Sequence, residues 1–316
     1  MFEIRTDLAV EEKESFPGNG GEVTGVTLRE WRGAFSKIKM TEVAILDEQG
    51  ARAMGKPKGT YITMEAKALA KGDEDYHREV SGELSSQLKR MVKELKKQGK
   101  MPDRKELHVL AVGLGNPSVT PDALGPKVLG NLRVNRNMAE EDSVVLSGIV
   151  PGVMAQTGME TAEILKGIIH ETGPDLLIAV DALAARSIRR LGTTIQLTDT
   201  GIHPGSGVGN HRHSLTMDSL GIPVLAIGVP TVVGAAAIVH DTISALTGTL
   251  ASYSQTHEMG DFLERLSPDE QYQLICELLE PEFGSLYVTP PDIDQTVKQL
   301  SFTISEGIHM AFFPAR

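Results

Sequence analysis

One cysteine, Cys276, is all that the 316 residues contain. That excludes an intrachain disulfide, and it excludes any zinc site needing two cysteines from one chain. A lone cysteine suits a reducing compartment, so a cytoplasmic location is expected. Aromatic residues are scarce at 4%, which leaves the core to Val, Ile, Leu, Ala and Met. Positive charge is in deficit, with 31 Lys and Arg against 42 Asp and Glu and a net charge of −11. Such a surface repels phosphates, so direct nucleic-acid binding is not expected. No run of about 18 apolar residues occurs, and the opening MFEIRTDLAV lacks a signal-peptide pattern. The expectation is a soluble protein with no membrane partner. Glycine, by contrast, is abundant at 32 residues, many of them in loops that follow apolar runs. That placement suits an α/β enzyme whose turns carry the site.

The chain divides into three expected parts: an arm and small β subdomain over 1–73, an α/β core over 74–250, and a helical segment over 251–316. Strands are predicted at Thr41–Leu46 and Thr60–Met64, with the turn Gly55-Lys-Pro-Lys-Gly59 between them. Asp75–Gln98 reads as a long amphipathic helix, its face built from Val80, Leu84, Leu88, Met91, Val92 and Leu95. Apolar runs then recur at 107–114, 143–150, 175–180, 194–197 and 222–229. Continuous rather than alternating apolar residues predict strands covered on both faces. Helical patterns fall between them. The clearest is 158–171, with Thr157 and Glu160 at capping-box spacing and Gly173-Pro174 as its stop. The fold class expected is α/β, a doubly wound, mostly parallel sheet with helices on both faces. Helices from about Pro268 to Pro281 and from Ile293 to Phe312 close the chain.

Ligands in open α/β sheets bind outside the carboxyl ends of the strands. Two acids stand at those ends. Asp122 follows Thr120-Pro121, a helix start in which Thr caps and Asp occupies the first turn. Asp181 follows the apolar run DLLIAV, where a carboxylate is partly desolvated. Each has a plain alternative reading as a capping residue. Together they are the candidate catalytic pair, able to share a proton and activate a water. Asn116, Arg186, His203 and Asn210, in the loops after the strands, are the candidate substrate contacts. The glycine-rich loop 201–209 lacks a Walker ending, and no G-x-S-x-G elbow appears, so nucleotide and serine chemistry have little support. A metal-dependent hydrolase using the acids with His203, His211 or His213 is the alternative. A peptide-binding or nucleotide-binding module without catalysis is a third.

The stretches VGLGNPSVTPDALGPKV, PGVMAQTGMETAEILKGI, PDLLIAVDALAARS, TIQLTDTGIHPGSGVGNHR and LGIPVLAIGVPTVV resemble the spore germination endopeptidases of spore-forming Bacillota. RTDLAVE and GKPKGTYITMEA, near the start, are similar too. The resemblance implies an endopeptidase that cleaves small acid-soluble spore proteins in the spore core as germination begins. It also implies a homotetramer, a zymogen that loses a short N-terminal segment, and a core like that of the hydrogenase maturation peptidases. By motif matching, Asp122 and Asp181 take the two acid positions. The resemblance leaves an aspartic-like or a metal-dependent mechanism open and implies no fixed cofactor. Three departures stand out: only MFEI precedes RTDLAVE, Gly234 follows PTVV where the family often carries an acid, and the chain is shorter than expected. Thr41-Glu42-Val43-Ala44 resembles the sites the family cuts, although a plain strand is the simpler reading.

Overall fold

The computed structural model describes residues 6–16, 21–34, 38–69, 74–102, 104–138, 143–203, 213–251, 268–283 and 286–313. Among these residues nine strands form one sheet: β1 Val26–Arg32, β2 Lys39–Ile45, β3 Gly59–Glu65, β4 Leu107–Gly113, β5 Val144–Ile149, β6 Leu176–Ala185, β7 Thr194–Thr198, β8 Val224–Gly234 and β9 Tyr287–Val288. Their order is β1-β2-β3-β7-β8-β6-β4-β5, with β9 paired to β8. The helices packed on it include α1 Ala9–Glu14, α2 Glu48–Met54, α3 Glu74–Lys97, α4 Leu124–Asn131, α5 Thr161–Thr172, α6 Ala235–Ala251, α7 Pro268–Phe283 and α8 Ile293–Phe312.

The fold is α/β, but the expected mostly parallel sheet is corrected to a mixed one. Among the described residues, parallel pairing is confined to β5–β4, β4–β6 and β6–β8. The pairs β1–β2, β2–β3, β3–β7, β7–β8 and β8–β9 are antiparallel. The physical reason is β7. The connection between β6 and β7 holds only a short turn, Ile188–Arg190, with no crossover helix. Without such a crossover a strand cannot return parallel. β7 runs back antiparallel to β8, and its other edge takes β3. The N-terminal strands therefore continue the main sheet.

Period-two geometry explains the continuous apolar runs. In β4, Val109 and Ala111 enter one core while Leu110 and Val112 enter the other. In β6, Ile178 and Val180 face the first core and Leu177 and Ala179 the second. The first core is closed by Leu84 and Leu88 of α3, Val128 of α4 and Ile304 and Ile308 of α8. The second takes Ala162 and Leu165 of α5, Ala237 of α6 and, from the arm before β1, Leu8 and Val10.

Boundaries differ in instructive places. α2 fills the stretch between the strand expected to end at Leu46 and the expected turn at Gly55; Asp47 caps it by accepting the Gly50 N–H at 2.8 Å, and Gly55 ends it in the left-handed region. The capping box of α5 uses Glu160 and Glu163 in place of Thr157 and Glu160, so that helix starts later than its spacing predicted. β8 runs through Pro230 when it was expected to stop there. Proline cannot donate to a ladder. The β6–β8 register shifts between Leu183 and Ala184, opposite Pro230, and so absorbs the missing donor. Thr41 and Val43 are fully buried in a strand paired on both sides, which is the plain reading of that segment. Cys276 is buried in α7, as expected of a small apolar side chain.

Candidate active site

From β4 the chain passes to β5 at one edge of the sheet, then returns past β4 to β6 on its other side. The direction of travel reverses between β4 and β6, and a crevice forms at their carboxyl ends. The Leu114 N–H still donates to the Val180 carbonyl at 2.8 Å, so the two strands stay joined to their tips. Gly125, at the start of α4, lies close against both tips. A Cβ there would stand 2.4 Å from the Leu114 oxygen and 2.5 Å from the Val180 oxygen. Only glycine permits this approach, and it carries the preceding residues, Asp122 among them, onto the crevice.

Asp122 and Asp181 line the same cavity, of about 510 Å³. Each sits differently from its expected place. Asp122 ends a single 3-10 turn, Thr120–Asp122, whose N-cap is Val119, and α4 begins two residues later. Its carboxylate is held by the Asn116 N–H at 2.6 Å. Gly115, with φ +109, makes the turn that aims this N–H. Asp181 does not follow its strand; it lies within β6, opposite Gly228 of β8. It is 6% exposed, and its Oδ1 accepts the Ala182 N–H at 2.9 Å. A strand-internal, buried carboxylate facing a cavity is not a turn cap, so the capping reading of Asp181 falls.

The other candidates are dispersed. Asn116 acts through its main chain on Asp122, while its side-chain oxygen accepts from the Ser118 N–H and the Gln156 amide, both at 3.0 Å. The main-chain N–H of Arg186 goes to Glu11 at 2.8 Å. His203 is held below its usual pKa by burial and by the charge of Lys56. His213 is 75% exposed, with Glu160 at 3.9 Å. Asn210 and His211 lie outside the described residues. Among the described residues, no group of three or more His, Cys, Asp or Glu is placed to hold a metal.

A third acid was missed. Asp7 lines the same cavity, exchanging hydrogen bonds with Ala184 of β6: its N–H donates to the Ala184 oxygen at 3.0 Å, and its Oδ2 accepts the Ala184 N–H at 2.8 Å. Gln196 pinches the arm from the other side, accepting from the Ala9 N–H at 2.8 Å and donating to the Asp7 carbonyl at 3.0 Å. Lys56 donates to the carbonyls of Thr6 and Asp7 at 3.2 Å each. Glu11, almost fully buried, accepts from Thr6 and from the N–H groups of Arg186 and Ser187, and it pairs with Arg190 at 3.3 Å. Burial pushes its carboxyl up, while those donors oppose the rise. The available signal was the apolar trio Leu8-Ala9-Val10 after Asp7, too short for a strand or helix assignment.

Residues 3–259 match the family model described as germination protease. A germination protease of Caldanaerobacter subterraneus subsp. tengcongensis is 47% identical, covering 98% of this chain and 94% of that one. Those of Priestia megaterium and Bacillus subtilis are 38% and 36% identical, each covering 98% of this chain and 94% of theirs.

Proposed function

The chain belongs to the germination protease family and is a protease of spore germination, and from that premise we propose that Asp122 and Asp181 hydrolyse peptide bonds as a pair. The observation carrying this is their presence in one cavity at the β4–β6 crevice. Asp122, whose carboxylate receives the Asn116 N–H, takes the proton of a water that attacks the scissile carbonyl. Asp181, buried within β6, supplies the proton that the leaving amide nitrogen needs. The substrates proposed are small acid-soluble spore proteins, cut in the spore core.

Replacement of either acid by Asn is expected to lower the cleavage rate of such a protein by about 100- to 10,000-fold with the fold retained. Full rate in either variant ends the two-acid reading. A chelator leaves the rate unchanged under this reading. Loss of activity restored by a divalent cation would move the chemistry to a metal held by the acids.

A hydrogenase-maturation-peptidase-like core, a homotetramer and a zymogen form complete the proposal. The two acid positions support the first. The seating of Asp7 in the cavity supports a role for the N-terminal segment in the zymogen. Sedimentation of the purified chain and N-terminal sequencing before and after activation test the other two.

A further inference from the structure

Thr231 occupies an irregular place in β8. Leu183 pairs with Pro230 and Ala184 with Val232, so Thr231 has no counterpart across the ladder. It is the extra residue of a β-bulge. The bulge shifts the pleat: Val229 faces the first core and Val233 the second, although an even spacing in a regular strand keeps to one side. The main chain here is fixed. The Thr231 carbonyl accepts the Thr289 hydroxyl at 2.9 Å, and the Pro230 carbonyl accepts the Gly192 N–H at 2.9 Å. Thr231 is 1% exposed and lines the cavity of Asp122 and Asp181. Among the described residues its hydroxyl takes no hydrogen bond. A buried hydroxyl without a partner is uncommon, and a catalytic role is one reason to keep it.

Hydrolysis of a peptide bond places negative charge on the carbonyl oxygen, and that oxygen needs donors aimed at it. The cavity wall is short of them. Among the described residues no Lys, Arg, His, Asn or Gln lines it, and its three aspartates only accept when ionised. The proton assigned to Asp181 goes to the leaving nitrogen. The main-chain N–H groups of Leu114, Asp122, Ala182 and Ala184 are spent on other acceptors. The Thr289 hydroxyl is spent on the Thr231 carbonyl, and Tyr287 is engaged in another contact. Two lining hydroxyls are left, those of Thr161 at the start of α5 and of Thr231. β8 lies beside β6, which carries Asp181, and the turn bearing Asp122 packs against both strands. We infer that Thr231 is a further catalytic residue: its hydroxyl donates to the carbonyl oxygen of the bond being cut. As the water oxygen bonds to the carbonyl carbon, the π pair moves onto that oxygen, and Thr231 keeps its own proton throughout. This rests on the reading of Asp122 and Asp181 as the catalytic pair.

Turnover of one small acid-soluble spore protein by the full chain tests this, with urea midpoints taken alongside. Thr231→Val removes the hydroxyl and keeps the shape. It is expected to lower kcat by about 100-fold with KM within a factor of about two, because the bond strengthens only as the charge develops. The midpoint should not fall, since no hydrogen bond of the folded state is lost. Thr231→Ser keeps the hydroxyl and should recover most of the rate. A kcat in Thr231→Val within about threefold of the parent overturns the inference. So does a loss that Thr231→Ser fails to reverse, or one that follows a fallen midpoint, since either makes the residue a packing group. A loss found in Thr161→Val and absent from Thr231→Val moves the donor to α5 and also overturns it. Failure of the paired acids shows separately, as full turnover in Asp122→Asn or Asp181→Asn, while the hydroxyl variants are read against the parent.

Discussion

Replacing Gly115 by Ala tests whether the turn after β4 is what holds Asp122, the proposed catalytic acid, in place. At φ +109 a non-glycine residue is strained by about 1–3 kcal/mol. The new Cβ would also stand 2.0 Å from the Asp122 carbonyl oxygen and 3.0 Å from its Oδ1. Those atoms must move away, and the Asn116 N–H bond to Oδ2, 2.6 Å long, is lost with them. A hydrogen bond to a charged group is worth about 1.5–3 kcal/mol, so the expected destabilisation is roughly 2.5–6 kcal/mol. A displacement on the order of 1 Å at the acid also lowers turnover by about 100-fold. The control is Gly167→Ala in α5, where a Cβ meets nothing within 4 Å. There the same chemical change is expected to add about 0.5–1 kcal/mol and leave turnover alone. Urea midpoints and cleavage rates of the two variants, measured side by side, give the answer. A Gly115→Ala protein with the parent's midpoint and rate would refute the reasoning, because the turn would then tolerate a side chain against Asp122.

Glu11→Ala removes the acceptor of two main-chain N–H groups and the buried partner of Arg190. It should cost about 3 kcal/mol in a urea titration, and an unchanged midpoint would show that the arm adds nothing to the β6 end. His309 governs one pH effect. Burial, reinforced by the charge of Arg133, holds its imidazole below the usual pKa, and its Nε2 accepts the Arg133 N–H at 2.8 Å. The folded state thus binds fewer protons than the unfolded one. Its contribution is complete above a pH of about 6.5 and is lost as pH falls below that toward the folded pKa. Thermal midpoints between pH 8 and 5 should fall less steeply in His309→Gln than in the parent; identical slopes would remove His309 as the cause.

Local patterns reached far into this fold, and non-local ones did not. The face of α3 and the bounds of α8 follow from spacing alone, because a helix buries a stripe set by its own period. The apolar runs of β4 and β6 announced strands covered on both faces, and the two cores bear that out. Strand direction was not legible at β7, since five residues alternating polar and apolar say nothing of which neighbours they take. Asp122 and Asp181 were legible as acids near strand ends. Their meeting in one cavity depends on the close packing of Gly125, which leaves no local mark. Asp7 was illegible for the same reason: its partners are Ala184 and Gln196, far along the chain.

That last contact sets an order of events during synthesis. Asp7 and Ala184 are 177 residues apart. At translation rates of about 5–20 residues per second, roughly 10–35 s separate their emergence from the ribosome. Throughout that interval Leu8 and Ala9, which end fully buried, have no β6 to lie against. The N-terminal segment, made first, can be seated only once the middle of the chain has been made. The cavity, lined by Asp7 at one end of the chain and by Tyr287 and Thr289 near the other, takes its final lining only when almost the whole chain has been translated.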